Sequence, residues 1–457
     1  MGAKYPSIFN NVIGPIMRGP SSSHTAAAVR IGLLGRRLLG EKPVGAVVTF
    51  DPNGSLATTY RGQGSAMGFA AGLLGMDITD PELIDAEELC RKQQINLVFR
   101  IDEIGAVHPN TYQVELTGEN NTTLGFTALS TGGGIIRLTK LDGGEIIDDR
   151  EFVTPLMPVQ VVTDPAIPFA GVGECMTLLA EHGGPLSTRA MEWESALGGL
   201  DGNAVVEIAG KHLEVMKNAV ITGLAGTDYR DRILPQQSQL VKAASEEGKL
   251  IPAQLTNTII ESVTAVMETK SSMGLIVAAP TAGSCGTLAG TLWAVAQLLD
   301  NSEEEMLRSL FSAGMIGVFI AQQGGFAAEE GGCQYECGAA SGMTAAALVE
   351  LMGGNGLTAL SAASMALQNT LGLICDPVAD RVEVPCLGKN IMAALNALAA
   401  ANMALAGFEQ VIPLEQVIAA MHEVGRNMPQ RYRCTCKGGL SITPAAQAIH
   451  KNMSSSE

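Results

Sequence analysis

Aromatic side chains are scarce in this chain, 4% of 457 residues with two tryptophans, while glycine numbers 53 and methionine 20. A core poor in rings closes by bringing backbones together through small residues, with methionine filling the gaps; that describes packing and implies no function. Long apolar runs are missing as well: no stretch reaches about 18 residues without a charge, a glycine or a proline, so no membrane-spanning helix is expected. The opening Met1-Gly2-Ala3-Lys4-Tyr5-Pro6 has no signal-peptide core, and a cytoplasmic location is expected. Basic residues are outnumbered, 29 against 46 acidic, and a net charge of -17 repels phosphate backbones and anionic lipid. Nucleic acid and membrane are therefore excluded as partners, which leaves small molecules. Nine cysteines is an odd count in a long chain, an argument for reduced thiols rather than a disulfide framework. There is no internal repeat, and 46% hydrophobic with 16% charged residues excludes disorder.

What is present divides the chain. Residues 1–160 mix the two kinds of element: a helix through Ala26–Leu34 capped by Ser22 or Ser23, and strand candidates at Val44–Phe50, Ile95–Ile101, Tyr112–Leu116, Phe126–Leu129 and Ile135–Leu138. Asp142-Gly143-Gly144 is a hairpin signal after the last of these. Prolines 155, 158, 165 and 168 mark an extended connector, placed at 161–172. From 173 to 457 helical periodicity dominates, over Ala204–Leu224, Leu255–Glu268, Thr287–Leu299, Glu303–Ile320, Thr344–Leu351, Ala359–Leu371, Asn390–Ala406 and Leu414–Val424. The expected fold is an α+β N-terminal domain followed by a mainly α-helical C-terminal domain.

Chemistry concentrates at the glycine- and proline-rich breaks. Cys333 follows Glu330-Gly331-Gly332, Cys375 precedes Asp376-Pro377, and Cys386 follows Val384-Pro385. Three thiolates are one short of closing a four-iron cluster and would leave one iron open as a Lewis acid. The intervals of 42 and 11 residues match no compact ligand signature, and buried cysteine also serves as a small hydrophobe, so both readings stand on spacing alone. Gly19-Pro20-Ser21-Ser22-Ser23-His24-Thr25 reads either as a carboxylate-binding loop before a helix or as a capping loop. Asn53–Ser65, Ala106-Val107-His108-Pro109-Asn110-Thr111 and Ser130–Gly134 complete the polar motifs.

Along nearly its whole length the chain resembles the iron-sulfur-dependent L-serine dehydratase family, in the form with β-like and α-like parts fused. The resemblance rests on Gly19–Thr25, Gly54-Ser55-Leu56-Ala57 and His108-Pro109-Asn110-Thr111 in the first part. In the second it rests on Ser271–Gly274, Ala279–Ser284, Gly332-Cys333-Gln334, Gly372–Val378, Val382–Cys386 and Gly438-Gly439-Leu440. It implies a [4Fe-4S] cluster on Cys333, Cys375 and Cys386, an open iron on the β-hydroxyl of serine, removal of the α-proton, and release of pyruvate and ammonium. It further implies a substrate-binding role for Ser21, Ser22, Ser23 and Thr25, with Ser272, Thr281, Gly283 and Ser284 as companions; helix capping is the alternative for these last four. A homodimer is implied too.

Departures limit the transfer. Ser65 stands where the family carries a histidine that is a candidate base, and a serine hydroxyl is no base near neutral pH unless activated. His108 is then the candidate proton acceptor, and His24 binds substrate or orients its hydroxyl. His182, His212, His422 and His450 match no motif. Arg381 either grips an extra substrate carboxylate or forms an exposed pair with Asp380. Cys434 and Cys436 are the nearest thiols where single-chain relatives can end in a cysteine; no second metal is assigned to them, and Cys285 and Cys337 are read as packing residues. Two further functions stay open: a cluster-dependent lyase for another β-hydroxy or β-substituted acid, and a non-catalytic cluster-bearing sensor.

Overall fold

A computed structural model describes residues 5–229 and 232–454. Alternating apolar residues build a six-stranded mixed sheet in the first part. It contains β2 (Pro43–Phe50), β3 (Asn96–Ile101), β4 (Thr111–Gly118), β5 (Thr123–Gly132), β6 (Ile135–Leu141) and β7 (Gly144–Glu145), in the order β3-β2-β4-β5-β6-β7. Only β2 and β3 run parallel. Asp142 and Gly143 both take positive φ, 45° and 80°, the geometry a two-residue hairpin between β6 and β7 requires. Helices Ala27–Leu39 and Ser65–Leu74 lie on the sheet, closing a core that includes Ile31, Leu34, Phe50, Phe69, Tyr112 and Val114.

The residue that caps the entry to the first helix is Ser21, not Ser22 or Ser23: its hydroxyl accepts from the His24 amide. A five-residue wide turn, Ser22–Ala26, then runs into Ala27–Leu39, so the three serines and His24 point from a widened helical start rather than from a free loop.

No described residue between 160 and 171 is helical or extended in a ladder, and helices follow from Val172. All eight helices expected from periodicity are present, several longer than the pattern indicated: Glu303–Gln323, for example, carries a Ser302/Glu305 capping box. Val172–His182, Leu186–Gly198, Ser238–Glu246 and Pro444–Ser454 are additional. The overall class is α+β. No helix among the described residues is long and apolar enough to cross a membrane.

The start of the chain leaves the sheet. Ile8, Phe9, Val12, Ile13 and Met17 belong to the apolar core of the helical part, and the short strand β1 (Ile16–Met17) pairs with β8 (Ile276–Val277). Helix Glu303–Gln323 accepts this segment through glycines: a Cβ at Gly317 would lie 1.9 Å from Val12 Cγ1, and one at Gly314 2.5 Å from Ile8 Cγ2.

Candidate active site

The polar loops of the sheet part and the cysteine loops of the helical part meet. Ser23 Oγ donates to Glu329 Oε1 at 2.8 Å, His108 Nε2 lies 2.7 Å from Glu330 Oε1, and Ser22 Oγ accepts from the Ala282 amide. Ser55 Oγ donates to the Cys434 carbonyl at 2.6 Å, while Gln63 Nε2 donates to Cys434 Sγ at 3.4 Å. Thr25 Oγ1 in turn holds the Gln63 carbonyl.

His24 is fully buried, and burial lowers its pKa against the opposing pull of Glu329. Its tautomer follows from the hydroxyls around it. Thr59 uses its one proton on the Ser55 carbonyl at 2.8 Å, so it accepts from His24 Nε2–H at 2.8 Å. Nδ1 therefore carries a lone pair, and Ser21 Oγ at 3.2 Å and Ser23 Oγ at 3.1 Å face it. His24 is a neutral ring in a ring of hydroxyls.

His108 is engaged at both nitrogens. Nδ1 accepts from the Asn110 amide at 3.1 Å, which leaves the proton on Nε2 for Glu330. Ser65 opens helix Ser65–Leu74, is completely buried, and its hydroxyl accepts from Tyr112 Oη at 2.9 Å. Burial pushes the Tyr112 phenol far up, so this pair offers no base.

Two of the three predicted ligand cysteines, Cys333 and Cys375, come together with Glu336, and Cys386 lies outside that group. None of the nine cysteines is in a disulfide, and Cys333, Cys375 and Cys386 are all buried. Ligand atoms of Cys333, Cys375 and Glu336 lie within 4.8 Å of one another. Hydrogen bonds from Cys337 and then Cys375 hold the Cys333 thiol well below its usual pKa. Burial and then the Cys333 charge push the Glu336 carboxyl well up. Asn390 Nδ2 ties Cys386 to the Pro-Thr-Ala-Gly-Ser loop, donating to the carbonyls of Cys386 at 2.9 Å and Gly283 at 2.8 Å. Gly283 also has no room for a side chain: a Cβ there would stand 2.7 Å from Glu336 Oε2.

Thr281 and Ser284 form a reciprocal cap, and Thr281 Oγ1 additionally donates to Glu336 Oε2 at 2.6 Å. Ser272 is not brought in: its hydroxyl donates to the Thr269 carbonyl at the end of helix Gln254–Ser271. Asp380 and Arg381 are half-buried rather than exposed, Asp380 lying against Gly62. Cys434 and Cys337 lie beside the predicted ligands, in thiol contact with Cys375 and Cys333 respectively, whereas Cys285 is a buried thiol at a helix start, pushed up to about 12 by burial.

Four groups escape a reading of the sequence. Glu329 and Glu330 stand just before Cys333 in the motif, and only the fold shows that they reach across to Ser23 and His108. Glu336 carries no signal beyond its distance of three residues from Cys333. Lys389, one turn after Cys386, bonds Asp376 at 2.6 Å and the Ile374 carbonyl at 2.7 Å; burial opposes its charge, but Cys333, Cys375 and Asp376 raise its pKa on balance.

Comparison with known proteins gives a consistent picture. The family model described as serine dehydratase alpha chain matches residues 161–441. A protein of Bacillus subtilis named probable L-serine dehydratase, alpha chain, is 42% identical over 242 residues, 53% of this chain and 81% of that protein. L-serine dehydratase of Haemophilus influenzae is 29% identical over 459 residues, covering 93% of this chain and 96% of its own. L-serine dehydratase 2 of Escherichia coli is 29% identical over 462 residues with the same coverage, 93% and 96%.

Proposed function

Because the chain belongs to the L-serine dehydratase family, we propose that it removes water from a small β-hydroxy amino acid, with L-serine as substrate and pyruvate and ammonium as products. The observation that carries this reading is the meeting of the Ser21–Thr25 and His108 loops with the Cys333 loop, through Ser23–Glu329 and His108–Glu330.

A [4Fe-4S] cluster fits the donor set, which is buried, unbridged thiols with Cys333 and Cys375 close together; Cys333, Cys375 and Cys386 would be its ligands. When bound, such a cluster supplies a Lewis acid for the leaving hydroxide. The chain's own residues do the rest. Ser21, Ser22, Ser23 and Thr25 orient the substrate, with Thr281, Gly283 and Ser284 shaping the facing wall. His24, neutral and fixed by Thr59, orients the reacting hydroxyl through Nδ1. His108 takes up the α-proton on Nδ1, which gives up the Asn110 amide to do so, while Glu330 Oε1, 2.7 Å from the protonated Nε2, balances the imidazolium that forms. We assign no base role to Ser65, which Tyr112 holds.

In this reading residues 1–160 form the β-like part, 161–172 the connector and 173–457 the α-like part that carries the cluster, in a cytoplasmic homodimer. The test is anaerobic reconstitution, with iron and sulfide assays, electron resonance with and without L-serine, and a panel of β-hydroxy acids. Pyruvate from serine, about four irons per chain and a serine-dependent spectrum are expected. Material that takes up no iron, or that is silent to serine but active on a more acidic substrate, overturns the assignment. If Ser65→His creates turnover absent from the native chain, a sensor is the better account.

A further inference from the structure

Glu329 is 4% exposed, and no lysine or arginine among the described residues pairs with it. Its Oε1 accepts from Ser23 Oγ, while its Oε2 is buried without any hydrogen-bond partner. His24 Nδ1 lies 3.4 Å from Oε1, but that nitrogen bears the lone pair of a neutral ring and answers no charge. Other cations bond elsewhere, although Arg433 keeps a buried Nε without a partner. Lys389 holds Asp376, Lys270 donates to the Val382 carbonyl, and Arg433 Nη1 donates to the Glu330 carbonyl. A buried carboxylate in this state is costly until a cation with protons to donate arrives.

A second orphan lies on the same hydrogen-bonded run. Ser130 Oγ donates to the Ser23 carbonyl at 2.7 Å, and the Ser130 amide donates to the Asn110 carbonyl at 3.0 Å. The Asn110 side chain is fully buried, with both its oxygen and its nitrogen unpaired. An anion acceptor lacking a cation and an amide lacking all partners, joined through two serines, are the complement of a small zwitterion rather than of a hydroxy or keto acid.

We propose that Oε2 of Glu329 receives the ammonium group of the bound amino acid, so that Glu329 is the residue by which the site selects amines over hydroxyls on the same carbon skeleton. This rests on the amino-acid reading above and adds the group that enforces it. A charge-assisted bond to the ammonium forms only when the ligand carries one, whereas a hydroxyl in its place brings no charge to the carboxylate.

L-alanine and (S)-lactate differ only in that group, and neither has a β-hydroxyl to lose, so their binding to the reconstituted protein can be measured by calorimetry without turnover. The native protein is expected to prefer L-alanine by at least about 10-fold, and Glu329→Gln to reduce that preference by about 10- to 100-fold with lactate affinity changed by no more than about 3-fold. Glu329→Asp, which keeps the charge, should restore part of it. Iron and sulfide content serve as the control that each variant carries its cluster. Equal binding of the two ligands by the native protein, binding of neither, or a preference that survives in Glu329→Gln overturns the proposal; should that variant not fold, the native comparison decides alone. If serine gives no pyruvate but the alanine preference depends on Glu329, the dehydratase reading falls and this one stands. Serine turnover with a preference indifferent to Glu329 leaves the dehydratase reading in place and removes the ammonium site.

Discussion

Two histidines of the same motif set differ in what their neighbours let them do. His24 is neutral, buried and fully hydrogen-bonded, which suits orientation; His108 holds a carboxylate at Nε2 and is partly open to solvent, which suits proton transfer. Replacing His108 with glutamine keeps a donor near Glu330 but removes the imidazole. His108→Gln is expected to lower the rate of pyruvate formation by about 100-fold or more, with iron and sulfide content unchanged. A loss below about 10-fold would move the base elsewhere, Glu330 being next. The residue scale also shows what sequence can and cannot reveal. Cys333, Cys375 and Cys386 stand out because each sits at a break in helical pattern, and so does His24 among serines. Glu329 and Glu330 do not, since their roles depend on which loop lies opposite, and that is set by contacts between distant parts of the chain, His108 and Glu330 being separated by 222 residues. Ser272 shows the reverse: a motif residue whose hydroxyl simply ends a helix.

At the scale of elements, helix Leu186–Gly198 anchors the incoming chain. Ser7 Oγ lies 2.5 Å from Glu194 Oε1, the Ile8 amide donates to Oε2 at 2.7 Å, and Trp193 Nε1 donates to the Pro6 carbonyl. Complete burial outweighs these bonds and raises the Glu194 carboxyl from 4.5 to about 7. A carboxyl raised on folding stabilises fully below its unfolded pKa, and that contribution is lost as pH climbs through the folded value. Stability should therefore fall between about pH 4.5 and 7 by up to about 3 kcal/mol from this group. Glu194→Gln keeps an oxygen acceptor for one of the two groups that donate to Glu194, Ser7 Oγ and the Ile8 amide, but cannot ionise, so the pH dependence of the denaturant midpoint across that window should flatten in the variant. An identical pH slope in both proteins would show that Glu194 titrates normally. This helix is not legible in sequence, because its buried residues Leu186, Ser187, Ala190, Trp193, Glu194 and Leu197 include a hydroxyl and a carboxyl. The helices that pattern does reveal, such as Glu303–Gln323 and Ala339–Leu351, are apolar nearly all round and announce themselves by composition.

At the scale of the whole molecule, the sheet part and the helical part share the site and also share a core. The expected boundary near 161–172 is written in prolines, but nothing in composition reveals that residues 8–17 cross over to pack against helix Glu303–Gln323. Local pattern shows elements, whereas the pairing of Val12 with Gly317 is a tertiary fact that either residue alone conceals. The consequence is that a polypeptide of residues 1–160 would expose Ile8, Phe9, Val12 and Ile13, and one of residues 161–457 would expose the surface that covers them. Each would also lack half of the site: Ser23, Ser55, Gln63 and His108 lie on one side, Glu329, Glu330 and Cys434 on the other. The family model described as serine dehydratase alpha chain matches residues 161–441, within the second part alone. Split at residue 160, the two pieces made together should co-purify and recover pyruvate formation after reconstitution, because apolar burial and the paired loops re-form without a covalent link. Either piece made alone should give no pyruvate, and the first should aggregate through its uncovered apolar segment. Activity from residues 161–457 alone would mean that His24 and His108 are dispensable, and the shared-site account would be wrong.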